Sequence, residues 1–291
     1  FREVEIVERH LVTGLTATLG CDVLRRSVGT FPAGTVFMQE GGSPITSDGV
    51  TVNAGSRGRT IAFSPETGEV LGSLPLGDGS SIARRYNALD QPNGLAVAPD
   101  GTVYVGDIPN SNPDPDPASP PPVPPAIYRV PGHLLDAMSG GEDIGDHIDR
   151  ILMPGYVNGL TCSPVDGCLW AVSCSPIDPA EGGVYRITDA DFAAQTQPAP
   201  MWKGLGILDG ITITRRGTVI VSNPLTSVIT AFASSGEQLE IAPATEVSMP
   251  ADINVCYPHI LAGEPALLTP EISVGRPPDT GRVLVLGLAG L

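Results

Sequence analysis

The sequence predicts an all-β protein, a six-bladed β-propeller whose four-stranded antiparallel blades surround a central pocket. Two observations lead to this fold class. The stretch Pro92 to Asp107 has the pattern of a β-hairpin, and similar stretches recur along the chain. Their spacing is close to the roughly 40 to 50 residues of a propeller blade. Radial repetition of one kind of sheet is the simplest arrangement that accounts for both observations.

The hairpin at Pro92 to Asp107 combines strand alternation with a turn. Apolar residues alternate with small or polar ones from Leu95 to Val97 and again from Val103 to Val105, and this is the period of a β-strand. Between the two runs, Asp100-Gly101 supplies residues that favour a tight turn. The stretch therefore predicts two antiparallel strands that begin with a polar residue, Asn93, here called the opener of the hairpin.

The pattern recurs twice downstream, at Asn158 to Cys174 and Asp209 to Asn223, and once more faintly upstream, at Gly42 to Asn53. The openers Asn93, Asn158 and Asp209 are separated by 65 and 51 residues, and the first gap contains a long insertion. The turns of the other copies are predicted at Asp48-Gly49, Asp166-Gly167 and Arg216-Gly217. A third strand is predicted after each copy, at Thr60 to Ser64, Ala126 to Val130, Gly183 to Ile187 and Val228 to Phe232.

The remaining blades are predicted from both ends of the chain. A fifth blade begins near Met249 to Asp252, and a sixth is assembled from the N-terminal third, including a strand at Val36 to Met38, and from the C-terminal strand Arg282 to Leu288. Alternation within Phe1 to Leu15 suggests an edge strand that completes the last blade. A short helix is predicted at His133 to Met138.

Composition and charge restrict the domain organisation and the partners. A length of 291 residues fits one closed all-β domain spanning 1–291, and 35 Gly and 30 Pro indicate a turn-rich protein. The formal charge of −16 argues against nucleic acid and anionic membrane as partners. The first fifteen residues lack the apolar core of a secretion signal, so any such signal has been removed or never existed. We expect a secreted or periplasmic location, with a cytoplasmic one as the alternative.

A segment rich in Pro, Asp and Ser, residues 109–125, is predicted to be an inserted loop. Proline lacks the N–H that a sheet ladder needs, so this segment cannot continue the blade. It lies between a second and a third strand, at the end of the blade where Asn93 also lies. The segment either covers the pocket or is a solvated linker.

Polar residues at the starts of the first strands are the candidate site. First strands line the channel of a propeller, so we expect their openers to converge. Amide and carboxylate oxygens suit Ca²⁺, Mg²⁺ or Mn²⁺. The alternative is that Asn-Gly and Asp-Gly are turn formers that satisfy their own backbone. The candidates are Glu40, Asn93, Asn158, Asp209, Asp252 and Asn254, with Asp252 and Asn254 assigned to substrate binding.

The five cysteines show no CxxC spacing, which argues against structural zinc and c-type haem. Cys162 and Cys168 flank one hairpin turn, close enough to form a disulfide if the strand register pairs them. Cys174 ends a strand near the predicted pocket. Burial is favoured there over a nucleophilic role, since the sequence offers no partner His nearby.

Three short segments resemble successive blade openings of the senescence marker protein-30/gluconolactonase group, six-bladed propellers related in architecture to strictosidine synthase and paraoxonase. The segments are Pro92-Asn93-Gly94-Leu95, Val157-Asn158-Gly159-Leu160 and Leu208-Asp209-Gly210-Ile211. The resemblance, over roughly residues 40–255, implies a divalent metal held by Asn158, Asp209 and Glu40. The implied ion is Ca²⁺, with Mg²⁺, Mn²⁺ or Zn²⁺ as alternatives. The resemblance also implies that Asn93 lies on the substrate side and that Asp209 is the general base for water attacking a lactone carbonyl.

Two functions are consistent with these observations. The first is metal-dependent hydrolysis of a lactone or related ester, a small-molecule substrate bound in the central pocket. The second arises because the fifth blade has an apolar, Pro-punctuated stretch where the family has a Phe-Gly-Gly run. It is a metal-free propeller that binds a hydrophobic small molecule, as a carrier or as a cyclising or condensing enzyme. Metal analysis of the purified protein distinguishes the two.

Overall fold

The structure is a computed structural model that describes residues 18–40, 58–75, 92–107, 124–140, 142, 144–174, 179–244, 247–257, 265–271 and 283–288. This part of the chain forms five antiparallel sheets, in each of which the strands are neighbours in chain order. Four sheets have four strands and one has three. The all-β class and the four-stranded antiparallel blade are therefore confirmed. The prediction of six blades is wrong, because the described residues form five sheets.

The first two sheets contain eight strands. They are β1 (Thr18–Val23), β2 (Val36–Glu40), β3 (Arg59–Phe63) and β4 (Val70–Pro75), then β5 (Pro92–Val97), β6 (Val103–Asp107), β7 (Ala126–Val130) and β8 (Asp149–Leu152). The next two sheets are β9 (Tyr156–Cys162), β10 (Leu169–Cys174), β11 (Gly183–Ile187) and β12 (Pro200–Lys203), then β13 (Ile211–Ile213), β14 (Val219–Asn223), β15 (Val228–Phe232) and β16 (Gln238–Ala242). The last sheet is β17 (Asn254–Cys256), β18 (Ala266–Pro270) and β19 (Val283–Gly287).

Short helices lie between some strands. Helix α1 (Leu135–Gly140) follows a 3₁₀ turn at Gly132–Leu134, which confirms the helix predicted near His133, and α2 is Asp189–Ala194. Two further 3₁₀ turns lie at Gly145–His147 and Pro179–Glu181. Within the described ranges, no helix is long and apolar enough to cross a membrane.

The blade count differs because the N-terminal third forms one sheet. Val36–Glu40 pairs with Thr18–Val23 on one side and with Arg59–Phe63 on the other, so the strand predicted at Thr60 belongs to the same sheet as the one at Val36. At the C-terminal end, Val283–Gly287 pairs with Ala266–Pro270 and completes the fifth sheet. No strands are left over among the described residues for a sixth. The faint hairpin, the strand within Phe1 to Leu15 and most of the inserted segment lie outside the described residues.

The three predicted hairpins are all present. Their turns lie at Asp100-Gly101, Asp166-Gly167 and Arg216-Gly217, and each glycine has a positive φ, 87°, 73° and 86° respectively. A residue with a Cβ is strained in this conformation, so glycine fixes where each strand ends. The position of the turn sets the pairing register of the two strands, and this register determines where the opener of each hairpin lies.

The chain divides into two compact units. The described residues of the first unit fall within His10–Val157 and Thr188–Pro198, and those of the second fall within Asn158–Ile187 and Ala199–Leu291. We call them the N-terminal and the C-terminal unit. The expectation of a single domain over 1–291 stays a prediction.

Each unit has an apolar core. In the N-terminal unit, Phe31 and Phe37 lie with ring centroids 5.9 Å apart among buried residues that include Tyr128 and Leu135. In the C-terminal unit, Trp202 stacks between Trp170, at 6.1 Å, and Phe232, at 4.3 Å between ring centroids. Such aromatic pairs stabilise a fold by about 0.5–1.5 kcal/mol beyond the area they bury.

Helix α2 is fixed to the N-terminal unit by charge and ring contacts. Thr188 caps it in a capping box with Asp191. Arg129 on β7 forms ion pairs with Asp149 and Asp189 and lies 4.6 Å from the ring centroid of Phe192. These contacts involve only residues of the N-terminal unit and hold the helix against the end of its second sheet.

Candidate functional site

The six candidate residues are divided between the two units. Glu40 ends β2, the second strand of the first sheet, and Asn93 is the second residue of β5, both in the N-terminal unit. The remaining candidates belong to the C-terminal unit. Asn158 lies in β9, Asp209 lies two residues before β13, Asp252 lies two residues before β17, and Asn254 begins β17.

In the C-terminal unit, the segments that contain Asn158 and Asp209 are brought together by a side-chain hydrogen bond of Asn158 and by a close backbone approach at Gly159. The Nδ2 of Asn158 donates a hydrogen bond of 2.9 Å to the carbonyl oxygen of Leu208, directly before Asp209. A Cβ on Gly159 would lie 2.4 Å from the carbonyl oxygen of Asp209, a separation that real Cβ atoms do not show. The glycine that follows Asn158 is therefore required for this approach, and the pattern Asn-Gly acts here as a packing element inside strand β9 and not as a turn.

The same approach is repeated one hairpin further along the C-terminal unit. A Cβ on Gly210 would lie 2.6 Å from the amide nitrogen of Ile253 and 2.8 Å from the carbonyl oxygen of Ala251. The starts of three successive first strands thus lie side by side. Asp252 and Asn254 are exposed, and the Oδ1 of Asp252 accepts a hydrogen bond from the amide of the next residue, Ile253, at 3.0 Å.

The carboxyl of Asp209 has an altered acidity. Burial raises its pKa from 3.8 to about 6, because the charged form loses hydration. A carboxyl that titrates near neutrality can both accept and release a proton under physiological conditions. Among the six candidates, Asp209 therefore has the electrostatic character expected of a general base.

Cys174, at the end of β10, is the thiol of this cluster. It is 4% exposed, and its Sγ lies 3.6 Å from the Nδ2 of Asn158. Burial, and secondly the charge of Asp209, raise the pKa of Cys174 to about 11. The predicted burial is confirmed, and the raised pKa opposes the thiolate that nucleophilic catalysis needs. All five cysteines are thiols in this structure, so the disulfide considered between Cys162 and Cys168 is not formed.

The backbone of Asp209 is held by Ser222 on β14. The amide of Asp209 donates to the carbonyl oxygen of Ser222 at 3.1 Å, and the amide of Ser222 donates to the carbonyl oxygen of Gly210 at 3.1 Å. The Ser222 hydroxyl accepts from the amide of Gly210 at 2.8 Å and donates to the carbonyl oxygen of Ala251 at 2.7 Å. Sequence reasoning did not single out Ser222. Counting strand register back from the turn, with Ile211 opposite Val221, would have placed it opposite Gly210.

In the N-terminal unit the two candidates have different environments. Glu40 is 5% exposed, and its Oε2 forms an ion pair with the Nε of Arg59, its cross-strand neighbour on β3. Asn93 is half-buried, and a Cβ on Gly20 would lie 2.5 Å from its carbonyl oxygen. The start of β5 therefore packs against β1 through a glycine, as the starts of the first strands do in the other unit.

The donors in the C-terminal unit fit a hard divalent cation in their chemistry. Asp209 offers carboxylate oxygens, and Asn158 offers its amide oxygen, since its Nδ2 is directed to Leu208. Within the described part of the chain, no group of three or more His, Cys, Asp or Glu side chains could hold a metal ion. A cation here would therefore be bound by few protein side chains, with water or substrate supplying the other oxygens.

Comparison with known proteins characterises the fold. No protein-family model matches the sequence, and no curated protein matches it. Among solved structures, a glucose dehydrogenase has a TM-score of 0.52 at 12% identity over 87% of this chain and 78% of that one. A chain of a nidogen/laminin complex has a TM-score of 0.52 at 12% identity over 92% of this chain and 83% of that one.

The chain is also similar to a gluconolactonase from Xanthomonas campestris, with a TM-score of 0.47 at 18% identity over 95% of this chain and 88% of that one. Gluconolactonase and glucose dehydrogenase structures are thus both among those that the chain resembles. The propeller fold that the sequence resemblance implied is supported by the glucose dehydrogenase structure, whose TM-score is 0.52. At these identities the likeness concerns the fold alone.

Proposed function

We propose that this protein is a hydrolase of a lactone or related ester and that Asp209 is its general base. The observation that supports the proposal most is the half-buried Asp209, whose pKa is about 6 and whose preceding residue, Leu208, accepts a hydrogen bond from the amide of Asn158. A base is most effective when its pKa lies near the working pH, and burial gives Asp209 this property.

In the proposed reaction, Asp209 accepts a proton from a water molecule as the water attacks the lactone carbonyl. The protonated Asp209 then returns the proton to the ring oxygen, which leaves as the alcohol of the hydroxy acid. Asn158 orients the reacting groups through its amide, which the Leu208 carbonyl holds in one direction. The thiol of Cys174 stays protonated, because its pKa is about 11, and it lines the site without acting as a nucleophile.

A divalent cation is part of this proposal, with Ca²⁺ the expected ion. Asn158 and Asp209 would hold it, and it would polarise the carbonyl under attack. Glu40 is a weaker ligand candidate, because ligation would have to replace the ion pair that its carboxylate makes with Arg59. Asn93, Asp252 and Asn254 stay candidates for substrate contacts.

The test compares Asp209→Asn with wild type in hydrolysis of a panel of aliphatic and aromatic lactones. Asn keeps the shape but removes the base, so turnover should fall by about 10² to 10⁴. Metal affinity should fall about tenfold or more, equal to at least about 1.4 kcal/mol. Asp166→Asn, which removes an exposed carboxylate at the turn of the preceding hairpin, is the matched control and should leave both unchanged.

Two results would contradict the proposal. One is wild-type protein that carries no divalent metal and opens no lactone in the panel. The other is an Asp209→Asn variant that hydrolyses lactones as fast as wild type. In the first case, a metal-free propeller that binds or cyclises a hydrophobic small molecule becomes the better hypothesis, and binding of apolar ligands should then be unaffected by Asp209→Asn.

A further inference from the structure

In the C-terminal unit, the openers of the β9–β10 and β13–β14 hairpins each lie next to a backbone carbonyl that accepts a side-chain hydrogen bond. In the β9–β10 hairpin this is the carbonyl of Leu208, and the opener Asn158 itself supplies the donor through Nδ2. In the β13–β14 hairpin the corresponding carbonyl is that of Ala251, the residue directly before Asp252. The opener there is Asp209, and an ionised carboxylate has no proton to donate.

Ser222 supplies the missing donor. Its hydroxyl, which is 0% exposed, donates to the carbonyl oxygen of Ala251 at 2.7 Å and accepts from the amide of Gly210 at 2.8 Å. The corresponding residue of the other hairpin is Val172, which packs against Gly159, with its Cγ2 3.0 Å from the position of a Cβ on that glycine. A polar side chain therefore faces the glycine only in the hairpin whose opener is a carboxylate.

We infer that Ser222 is a positioning residue, which fixes the Asp209-Gly210 backbone against Ala251 and thereby directs the Asp209 carboxylate towards the reacting atoms. The inference rests on the proposed function of Asp209 as the base. Ser222 acts through four hydrogen bonds, two from its hydroxyl and two from its backbone. Replacing the serine side chain by one without a hydroxyl removes only the two hydroxyl hydrogen bonds. The two backbone hydrogen bonds that join Ser222 to Asp209 and Gly210 remain, whereas the link to the carbonyl of Ala251, here called the clamp, is lost.

The variant that isolates this role is Ser222→Ala. It removes the hydroxyl and leaves the amide of Gly210 and the carbonyl of Ala251 without this link. Displacement of a catalytic group by about 1 Å can reduce a rate 10²-fold. We expect kcat for lactone hydrolysis to fall at least about tenfold with little change in KM, because the base and not the substrate contact is moved.

Two further variants separate positioning from a general loss of structure. Ser222→Thr keeps a hydroxyl and should recover most of the lost kcat. Ser173→Ala is the matched control, because Ser173 is also a fully buried serine at the end of a second strand, and its Oγ has no hydrogen-bond partner among the described residues. Its kcat should stay within about twofold of wild type. If Ser222→Ala does not fold, Ser222→Cys provides a nearly isosteric side chain with a weak donor and should show an intermediate loss.

A readout independent of turnover distinguishes this inference from the proposed function. Crystal structures of wild type and Ser222→Ala should show the Asp209 carboxylate displaced by about 1 Å or split between conformers in the variant. An unmoved Asp209, or a variant with unchanged kcat, would overturn the positioning role even if wild type is a lactonase. Wild type that opens no lactone while Asp209 moves in Ser222→Ala would instead refute the proposed function and leave the clamp in place.

Discussion

The two hairpins β9–β10 and β13–β14 begin with the same sequence pattern and differ in how their openers are used. In the first hairpin, the opener Asn158 donates its Nδ2 hydrogen bond to the carbonyl of Leu208. In the second, the hydroxyl of Ser222, and not the opener Asp209, donates to the corresponding carbonyl of Ala251. Asn158 is thus a structural donor that can offer only its oxygen to a ligand. Asp209 does not have to supply that donor, and its half-buried carboxyl has a pKa of about 6.

This difference shows that a repeated motif can contain one residue that supports the fold and another that is suited to chemistry. A glycine after the opener permits the close backbone approach in both hairpins. The residue that faces this glycine differs, and it is Val172 in one hairpin and Ser222 in the other. Because only Ser222 has a hydroxyl, only the second hairpin can hold the neighbouring carbonyl without using its opener. The comparison can be tested by exchanging these residues between the hairpins.

The largest effect is expected from giving the first hairpin the opener of the second. Asn158→Asp removes the donor to Leu208 and adds a second carboxylate near Asp209. Losing a partner of a buried carbonyl costs about 1–3 kcal/mol, and charge repulsion adds to this. We expect the free energy of unfolding in urea to fall by about 2–4 kcal/mol at neutral pH.

The double variant Asn158→Asp with Val172→Ser copies the Asp209 and Ser222 arrangement. Val172→Ser alone should destabilise the protein by about 1–3 kcal/mol, because it replaces a core methyl pair with a buried hydroxyl. In the double variant the new hydroxyl can donate to Leu208, so the two losses should sum to less than their separate values. If the two losses of unfolding free energy simply add in the double variant, the introduced serine does not donate to Leu208 as Ser222 donates to Ala251.

A smaller change in the free energy of unfolding, an increase and not a decrease, is expected on substitution of Asp209, the opener of the second hairpin. The pKa of Asp209 is raised above its unfolded value of 3.8, so the folded state favours the protonated form. The stability associated with that proton is present below about pH 4 and is lost as pH rises through about 6. Asp209→Asn should therefore be more stable than wild type at pH 7.5, by at most about 3 kcal/mol, and equally stable at pH 4.

The stability difference between Asp209→Asn and wild type is measured by thermal unfolding at both pH values. A chelator is included because a bound cation would offset the desolvation cost of the Asp209 carboxylate. A variant less stable than wild type at pH 7.5 would mean that the Asp209 carboxylate makes stabilising contacts that outweigh its desolvation. Gain of stability together with loss of turnover is the pattern of a residue kept for activity.

Local patterns were sufficient to predict the hairpins but not the number of sheets. Alternating apolar residues and a turn glycine such as Gly101 or Gly217 are properties of neighbouring residues, and they predict both strands of each hairpin. The pairing of β2 with β3 joins Glu40 to Arg59 across a stretch in which the sequence predicted a separate, faint hairpin at Gly42 to Asn53. The blade count failed there, since one sheet was divided between two predicted blades.

The candidate site was predictable to a similar extent. The patterns Asn158-Gly159 and Asp209-Gly210 identified residues that the fold of the C-terminal unit brings together. The part played by Ser222 required strand register, because its contacts are with Gly210 and Ala251 rather than with its neighbours in sequence. The raised pKa of Asp209 arises from burial, which is a property of the folded chain and has no sequence motif.

The smallest predicted effect concerns Cys174, which reports on the charge of Asp209 next to Asn158. With a pKa of about 11, the thiol is ionised in only about one molecule per thousand at pH 8. Its alkylation by iodoacetamide, followed residue by residue with mass spectrometry, should be slow compared with that of the exposed Cys21. Asp209→Asn removes the negative charge but not the burial, which is the larger cause of the raised pKa. We therefore expect the alkylation rate of Cys174 to rise only a few-fold, with Cys21 unchanged.

A rise of 10² or more in the alkylation rate of Cys174 would mean that the charge of Asp209 dominates. An unchanged rate would mean that Asp209 is protonated at pH 8 or too distant to act, and either result would remove the carboxylate from the role that distinguishes the second hairpin from the first.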